Sequence, residues 1–301
     1  MLFPSRLRMW AALAGAWLLF AAPSLVAQEA AEAVYVTVPH PLTSEAVTRI
    51  ENQVKARVND ATRPARTVVL DFNPGDKPAS STAFGPCSDL ADFLRKPDIA
   101  RVRTIAFVHA PTTGHAVLPV LACKEVVMGK AGVLGPILVE GVAALTNTHR
   151  VAYETAFARE DRWPIVQKMF DPAVSLVKGK DKATGNPRYA DRNSEKAMEK
   201  VVGAAPVANV QDNQVTGYPA DVARALELAV GLADSRRELA DLYGLPPLRE
   251  DPLQGRSPVA YQWTLRGDVD GAMRESVNRV IRDVRSPKKG GNVLILVLNC
   301  G

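Results

Sequence analysis

The chain has 301 residues, 47% of them hydrophobic, and a formal net charge of +5 at neutral pH. That supplies enough apolar side chain for one sizeable core and part of a second, while the positive charge is too mild and too scattered for a nucleic-acid surface. Three cysteines, Cys87, Cys123 and Cys300, are too few and odd in number for a disulfide scaffold, so each is expected as a buried or unpaired thiol.

The opening segment sets the compartment. Arg6 and Arg8 precede an apolar run over 9–26, broken only by Gly15, Pro23 and Ser24, and polar sequence returns at Gln28 and Glu29. This is the order of a secretory signal peptide over 1–27, cut after Ala27. An uncleaved anchor is the alternative, because the run is nearly long enough to span a bilayer. Either reading exports the remainder across the cytoplasmic membrane, to a periplasmic or membrane-associated place.

Beyond the leader, strand and helix patterns alternate. Residues 34–38 are β-rich and stop at Pro39. Ser44 is a candidate N-cap, and Val47, Ile50, Val54 and Val58 then recur at helical spacing. Residues 67–72 form a buried-strand run that ends in Asn73, Pro74, Gly75 and Asp76. A short helix over 87–94, a strand over 104–108, a helix over 115–123 and a strand over 125–128 follow. Apolar strands alternating with helices predict a mainly parallel sheet covered on both faces. A helix-rich stretch over 146–170 is expected next. After it come a strand near 174–177, a helix near 194–202, a strand near 206–210, and helices over 220–228 and 235–243. Residues 245–259 are proline-rich and aperiodic, and read as a linker.

Residues 34–75 align without a gap on residues 260–301. Tyr35, Ala46, Asn52, Val54, Val58, Leu70, Asn73 and Gly75 match Tyr261, Ala272, Asn278, Val280, Val284, Leu296, Asn299 and Gly301. Both stretches read strand, amphipathic helix, basic loop, apolar strand and Asn-x-Gly. The expectation is one full domain over 34–244 and the truncated start of a second copy over 260–301.

The run Leu70-Asp71-Phe72-Asn73-Pro74-Gly75-Asp76, followed by Cys123-Lys124-Glu125-Val126-Val127-Met128, resembles the ClpP class of serine proteases, in particular its membrane-associated NfeD group. The resemblance implies an α/β, ClpP/crotonase-like spiral of βαβ units. It also implies homo-oligomers, a protein or peptide substrate, and membrane attachment through the leader or downstream segments. It calls for no metal or cofactor. In the family, a Gly after the strand offers its backbone N–H to an oxyanion, and a Ser opening the following helix is the nucleophile, with a Lys as its base. Gly75 takes the glycine's place, repeated by Gly301, and His115, just after the nucleophile position, is the second oxyanion-type donor. Glycine there permits close backbone approach to a reacting carbonyl; an ordinary strand-ending turn would use the same residues.

The nucleophile position departs from the pattern. Counting back from Cys123, it falls on Gly114, and no Lys occurs between Lys130 and Lys168. A Ser–Lys pair needs both a hydroxyl and a desolvated amine, so the first unit reads as non-catalytic. Thr112, Thr113 and His115 are the nearest substitutes. His109 is expected as a turn residue, Asp71 and Asp76 as solvated flanks of the turn, and Cys123 as packing. Three functions remain open: a peptidase active through its second unit, a catalytically dead scaffold of the same fold, and an acyl-CoA-handling crotonase. The export signal argues against the last, since CoA thioesters are intracellular.

Overall fold

The computed structural model describes residues 33–142, 144–249, 260–266, 271–284 and 293–299. The leader over 1–27, most of the linker, Cys300 and Gly301 lie outside the described residues. Among the described residues no helix is long and apolar enough to cross a membrane.

The chain opens with β1 (Ala33–Thr37), α1 (Ser44–Val58) and β2 (Thr67–Asp71). Helix α1 turns Ala46, Val47, Ile50, Val54 and Val58 inward, at the spacing of one helical face. Its N-cap is Thr43 rather than Ser44: the Thr43 hydroxyl accepts from the Ala46 N–H at 3.3 Å. Three turns of a common plan follow. Strand β2 leads to β3 (Ala79–Ser81) and the helices α2 (Phe84–Arg95) and α3 (Pro97–Ala100). Strand β4 (Arg103–Val108) leads to β5 (Pro111–Gly114) and α4 (Val117–Ala122). Strand β6 (Glu125–Met128) leads to β7 (Val133–Leu134), α5 (Asn147–Phe157) and α6 (Trp163–Gln167). Each turn therefore places one long strand in a main sheet and one short strand in a second sheet before its helix. The result is an α/β spiral.

The main sheet has the order β1-β2-β4-β6-β12, with β12 at Gly231–Leu232, and every pairing is parallel. Both of its faces are covered. Val34, Val36, Val68 and Leu70 pack toward α1, α2 and α4, whereas Tyr35, Val69, Ile105, Phe107 and Val127 face Leu239. Leu239 belongs to the helix over Arg236–Tyr243. Burial on alternate faces explains why these strands are apolar throughout rather than at every second position.

The second sheet was not legible in the sequence. Its order is β11-β7-β5-β3, with β11 only Tyr218–Pro219. Such short strands carry too few residues for any periodicity. The stretch after α6 also departs from expectation. Residues 176–206 form an antiparallel sheet of β8 (Leu176–Asp181), β9 (Pro187–Asp191) and β10 (Val201–Pro206), ordered β10-β8-β9. The predicted helix near 194–202 shrinks to α7 (Glu195–Met198), and the strand expected near 206–210 lies earlier, as β10. The hairpin turn between β8 and β9 is built by Asp181, whose carboxylate accepts from the N–H groups of Ala183 and Thr184 at 2.9 and 3.0 Å. Helices α8 (Ala220–Ala225) and α9 (Arg236–Tyr243) close the domain. The predicted linker starts packed, because Leu245 and Leu248 rest on the Tyr35 face of the sheet.

The later residues form β13 (Ala260–Arg266), α10 (Gly271–Val284) and β14 (Val293–Asn299), with β13 parallel to β14. The order repeats that of β1, α1 and β2, and Val284 is buried as Val58 is. The pairing differs by one residue. Ala33 faces Thr67 in the first unit, but Ala260 faces Val293, where the ungapped alignment would put Val259.

Candidate functional site

Two polar clusters sit at the carboxyl ends of the strands. The first joins β2 to the residues after β4. Asp71, the last residue of β2, is 1% exposed and accepts from the Tyr35 hydroxyl at 2.6 Å and the Asn73 N–H at 2.9 Å. His109 Nε2 lies 2.9 Å from the same carboxylate, and its Nδ1 lies 3.0 Å from Asp76. Asp76 is exposed, as the sequence suggested; Asp71 is not, because the strand carries it into the sheet before the turn begins. Burial works to raise the Asp71 carboxyl, but hydrogen bonds from His109, Tyr35 and Asn73 outweigh it and hold the group below the usual carboxylate range. Burial likewise opposes charge on His109, and the two carboxylates overcome it and raise its proton affinity. The two carboxylates thus favour the charged form of the ring, in which each nitrogen donates to one of them.

Asn73 completes this cluster. Its side-chain oxygen accepts from the N–H groups of His109 and Ala110 at 3.0 and 3.2 Å, and its amide donates to the Lys77 carbonyl at 3.0 Å. The turn it braces holds Gly75 and Asp76, both at positive φ, +71° and +58°. Glycine tolerates that conformation freely; Asp76 is kept there by its contact with His109. Thr112, on β5, is fully buried with its hydroxyl against Asn73 at 3.4 Å, so it is not presented to a substrate. Its neighbour Thr113 is half-buried, on the other face of that strand.

The second cluster lies where β5 turns into α4. Gly114 ends the strand at φ +63°, and a Cβ at this position would stand 2.4 Å from the Ser81 carbonyl oxygen on β3. No side chain fits there without moving β3. The first side chain to leave the elbow belongs to His115. It is buried, with Nδ1 3.1 Å from the Tyr153 hydroxyl of α5, and it is flanked by the rings of Phe84 and His149 at 5.3 and 5.6 Å. Phe84 and His149 pack on each other with ring centres 4.0 Å apart. Burial, helped by the charge of His149, pushes the His115 ring down to about 4, so it is neutral over the physiological range. Cys87 stands behind this pocket; burial pushes its thiol up to about 11, against a hydrogen bond from Ser81. A thiol so placed is packing rather than nucleophile.

Neither a protein-family model nor a curated protein matches this sequence. Solved structures do resemble it. One is a membrane-bound stomatin-specific protease, in a lysine-to-alanine variant with a substrate peptide. It shows 9% identity and a TM-score of 0.46 over 71% of this chain and 80% of that one. Another is an enoyl-CoA hydratase/isomerase family protein from Silicibacter pomeroyi, with 15% identity and a TM-score of 0.40 over 87% and 90% of the two chains. A third is an enoyl-CoA hydratase from Mycobacterium avium subsp. paratuberculosis K-10, with 16% identity and a TM-score of 0.38 over 71% and 69%. Likeness at this level leaves the chemistry to be argued from the residues themselves.

The oxyanion expectation changes at His115. Its backbone N–H donates to the Ser81 carbonyl at 2.8 Å, so it is already committed and is not free to meet an oxyanion. Gly75 is exposed at the turn, and Gly301 lies outside the described residues. The lysine question also resolves geometrically. Lys130 is exposed and paired with Asp234, while Lys168 is fully buried with its amine donating to the carbonyls of Pro172 and Val174 at 3.2 and 2.6 Å. Lys168 is thus a latch for the loop after α6, and its partners are not side chains of the elbow. Cys123 is buried, as expected, with burial raising its thiol well beyond the ordinary range. Sequence reasoning missed the clasp between Asp71 and His109 because its partners are distant in the chain; the signal was an Asp ending one apolar strand and a His just after the next.

Proposed function

We propose that this chain is an exported, membrane-associated relative of the NfeD/ClpP-class serine proteases whose first unit does not hydrolyse peptides. In this reading it keeps the fold as a scaffold that engages a protein or peptide and assembles with copies of itself. The strand, helix and strand over 260–266, 271–284 and 293–299 repeat the order that opens this unit. The family reading rests on the Leu70–Asp76 and Cys123–Met128 segments. The absence of hydrolysis is carried by one observation: the elbow is closed at Gly114 by the Ser81 carbonyl, and His115 turns inward to Tyr153. Covalent catalysis needs a nucleophile within reach of a base and presented to substrate. Here the hydroxyl of Thr112 is buried against Asn73, the thiol of Cys87 is held protonated, and the amine of Lys168 is bound to carbonyls.

The test exposes the full chain to a serine-reactive fluorophosphonate and to casein. No label within 33–249 and no cleavage traceable to that region is the expected result. Stoichiometric labelling at Thr112 or Thr113, with proteolysis lost on substitution by Ala, would overturn the proposal.

A further inference from the structure

Both polar clusters occupy the carboxyl ends of the strands, and the amino ends form a face of different chemistry. Segments 57–66, 95–103 and 124–125 lead into β2, β4 and β6 there, and hold eight Lys and Arg against three Asp and Glu. Arg63, Arg66 and Lys124 are exposed and form no ion pair among the described residues. The acids are mostly engaged. The Asp60 carboxylate accepts from the Thr62 and Arg63 N–H groups at 2.8 and 3.1 Å, and Glu125 pairs with Arg103 and accepts from the Tyr243 hydroxyl. Glu227, ahead of β12, is paired with Arg162. At the carboxyl ends the balance is even, with Asp71, Asp76 and Asp234 against Lys77, His109 and Lys130.

Two further observations say what meets this excess of cations. Val230 and Leu242 are each 51% exposed. The Val230 N–H donates to the Val126 carbonyl at 2.9 Å, and Val230 lines one shallow cleft with Lys124. Leu242 precedes Tyr243, whose hydroxyl reaches Glu125 at the start of β6. Exposed aliphatic side chains beside unpaired cations suit a bilayer surface: headgroups take the charge, and the aliphatic groups enter the boundary beneath them. A soluble acidic partner has no use for the aliphatic part. The second observation is connectivity. Ala33 pairs with Thr67, so the chain leading back to the apolar run over 9–26 leaves the domain beside Arg66. Six residues, 27–32, separate that run from Ala33, a reach of at most about 25 Å. A run of this kind lodged in a bilayer holds the amino ends of the sheet, rather than the turn at Gly75, against the membrane.

We infer that the amino-end face of the main sheet docks on a bilayer of anionic phospholipid, with Arg63, Arg66 and Lys124 on the headgroups and Val230 and Leu242 at the acyl boundary. The inference rests on the membrane association in the proposed function, and adds which face meets the lipid and which headgroup charge it selects. It is independent of whether the elbow at Gly114 hydrolyses anything.

The experiment mixes the full chain with vesicles of phosphatidylglycerol and phosphatidylcholine, or of phosphatidylcholine alone. Each sample is sedimented and treated with an amine-acetylating reagent, and mass spectrometry reads the lysines one by one. On the anionic vesicles Lys124 should react about tenfold more slowly than on the neutral ones, while Lys77 and Lys182 should not change. Salt at about 0.5 M should remove the protection. Arg63→Glu combined with Arg66→Glu alters exposed, unpaired side chains, so it should leave the thermal melt in place and restore the reactivity of Lys124. Sedimentation with Lys124 as reactive as Lys77 would overturn this inference alone. No sedimentation with either vesicle would overturn membrane association and this inference with it. Unchanged protection in the charge-reversed variant would also overturn it, as would equal protection of Lys124 by soluble polyglutamate, because the face would then need no bilayer.

Discussion

His109 and His115 follow consecutive strands of the same spiral, β4 and β5, and are pushed in opposite directions. His109 is clamped between Asp71 and Asp76, which raise its affinity for a proton. His115 is enclosed by Phe84, His149 and Tyr153 and is neutral. The difference comes from what each strand end faces. Strand β2 delivers a carboxylate to His109 within the main sheet; α5 delivers aromatic rings to His115. Neither histidine is placed as a general base: both ring nitrogens of the first are engaged by carboxylates, and the second hydrogen-bonds a tyrosine held well above its ordinary proton affinity by burial.

The largest effect expected from breaking this contrast is on the charged side. Asp71→Ala strips the partner from the Tyr35 hydroxyl, the His109 ring and the Asn73 N–H at once. Removing one member of a buried charged pair costs about 3–5 kcal/mol. Urea denaturation of the variant should show that loss. A change below about 1 kcal/mol would mean that the clasp is loose in solution and that surface pairing is the better description.

Gly114→Ser comes next, and it tests the elbow between the two histidines. The substitution places a serine where the sequence resemblance expects a nucleophile. In this backbone it places a side chain at φ +63° and against the Ser81 carbonyl. A destabilisation of about 1–3 kcal/mol is expected, with no gain of fluorophosphonate labelling. A stable, labelled Gly114→Ser variant would show that β3 can yield and that only the hydroxyl was missing.

These sites were unequally legible in the sequence. The long parallel strands, their order along the chain and the helix over Ser44–Val58 follow from apolar runs and helical spacing, which are local signals. The turn at Pro74 and Gly75 was readable for the same reason. What escaped depends on partners remote in the chain. Nothing in Thr112, Thr113 and Gly114 announces a strand, because β5 is held by pairing with β3 and β7 rather than by its own composition. The helix expected over 115–123 correspondingly starts at Val117, and the elbow before it decides which side chains emerge. Asp71 looked solvated because it abuts a turn; Tyr35 and His109 from other segments, together with the nearby Asn73 N–H, make its burial tolerable. The sheet at 176–206 hid behind mixed charge: Lys178, Lys180 and Lys182 belong to an exposed ribbon and its turn, and only Val177, Ala190 and Val201 form its small core.

The contrast sharpens with pH. The folded-state affinity of His109 for a proton lies above its ordinary value of 6.5, so its contribution is complete below that pH and is lost as pH rises through the folded value. His115 is depressed to about 4, so its contribution is complete above 6.5 and declines as pH falls toward 4. His40, pushed down to about 4 by burial, acts in the same direction as His115. Urea midpoints across this range should fall on both sides of an intermediate maximum. His109→Gln should flatten the alkaline side and leave the acidic side in place. Equal titration of His109 and His115 near 6.5 by NMR would remove the distinction altogether.

The smallest effect concerns Tyr153→Phe. The substitution keeps the ring that packs beside His115 and Phe170, and deletes only the hydroxyl 3.1 Å from His115 Nδ1. A neutral hydrogen bond is worth about 0.5–1.5 kcal/mol net, so the variant should be only slightly less stable. His115 should nevertheless remain neutral, with its midpoint still near 4, because burial is the leading cause of its depression and the tyrosine is not among the causes. The imidazole can also exchange tautomers, so that Nδ1 becomes an acceptor with no proton stranded in the apolar pocket. A midpoint that rises toward 6.5 in Tyr153→Phe would show that the hydroxyl, rather than enclosure by Phe84 and His149, keeps the ring uncharged. His115 would then become a base as soon as that bond opened, and the case for a silent elbow would rest on Gly114 alone.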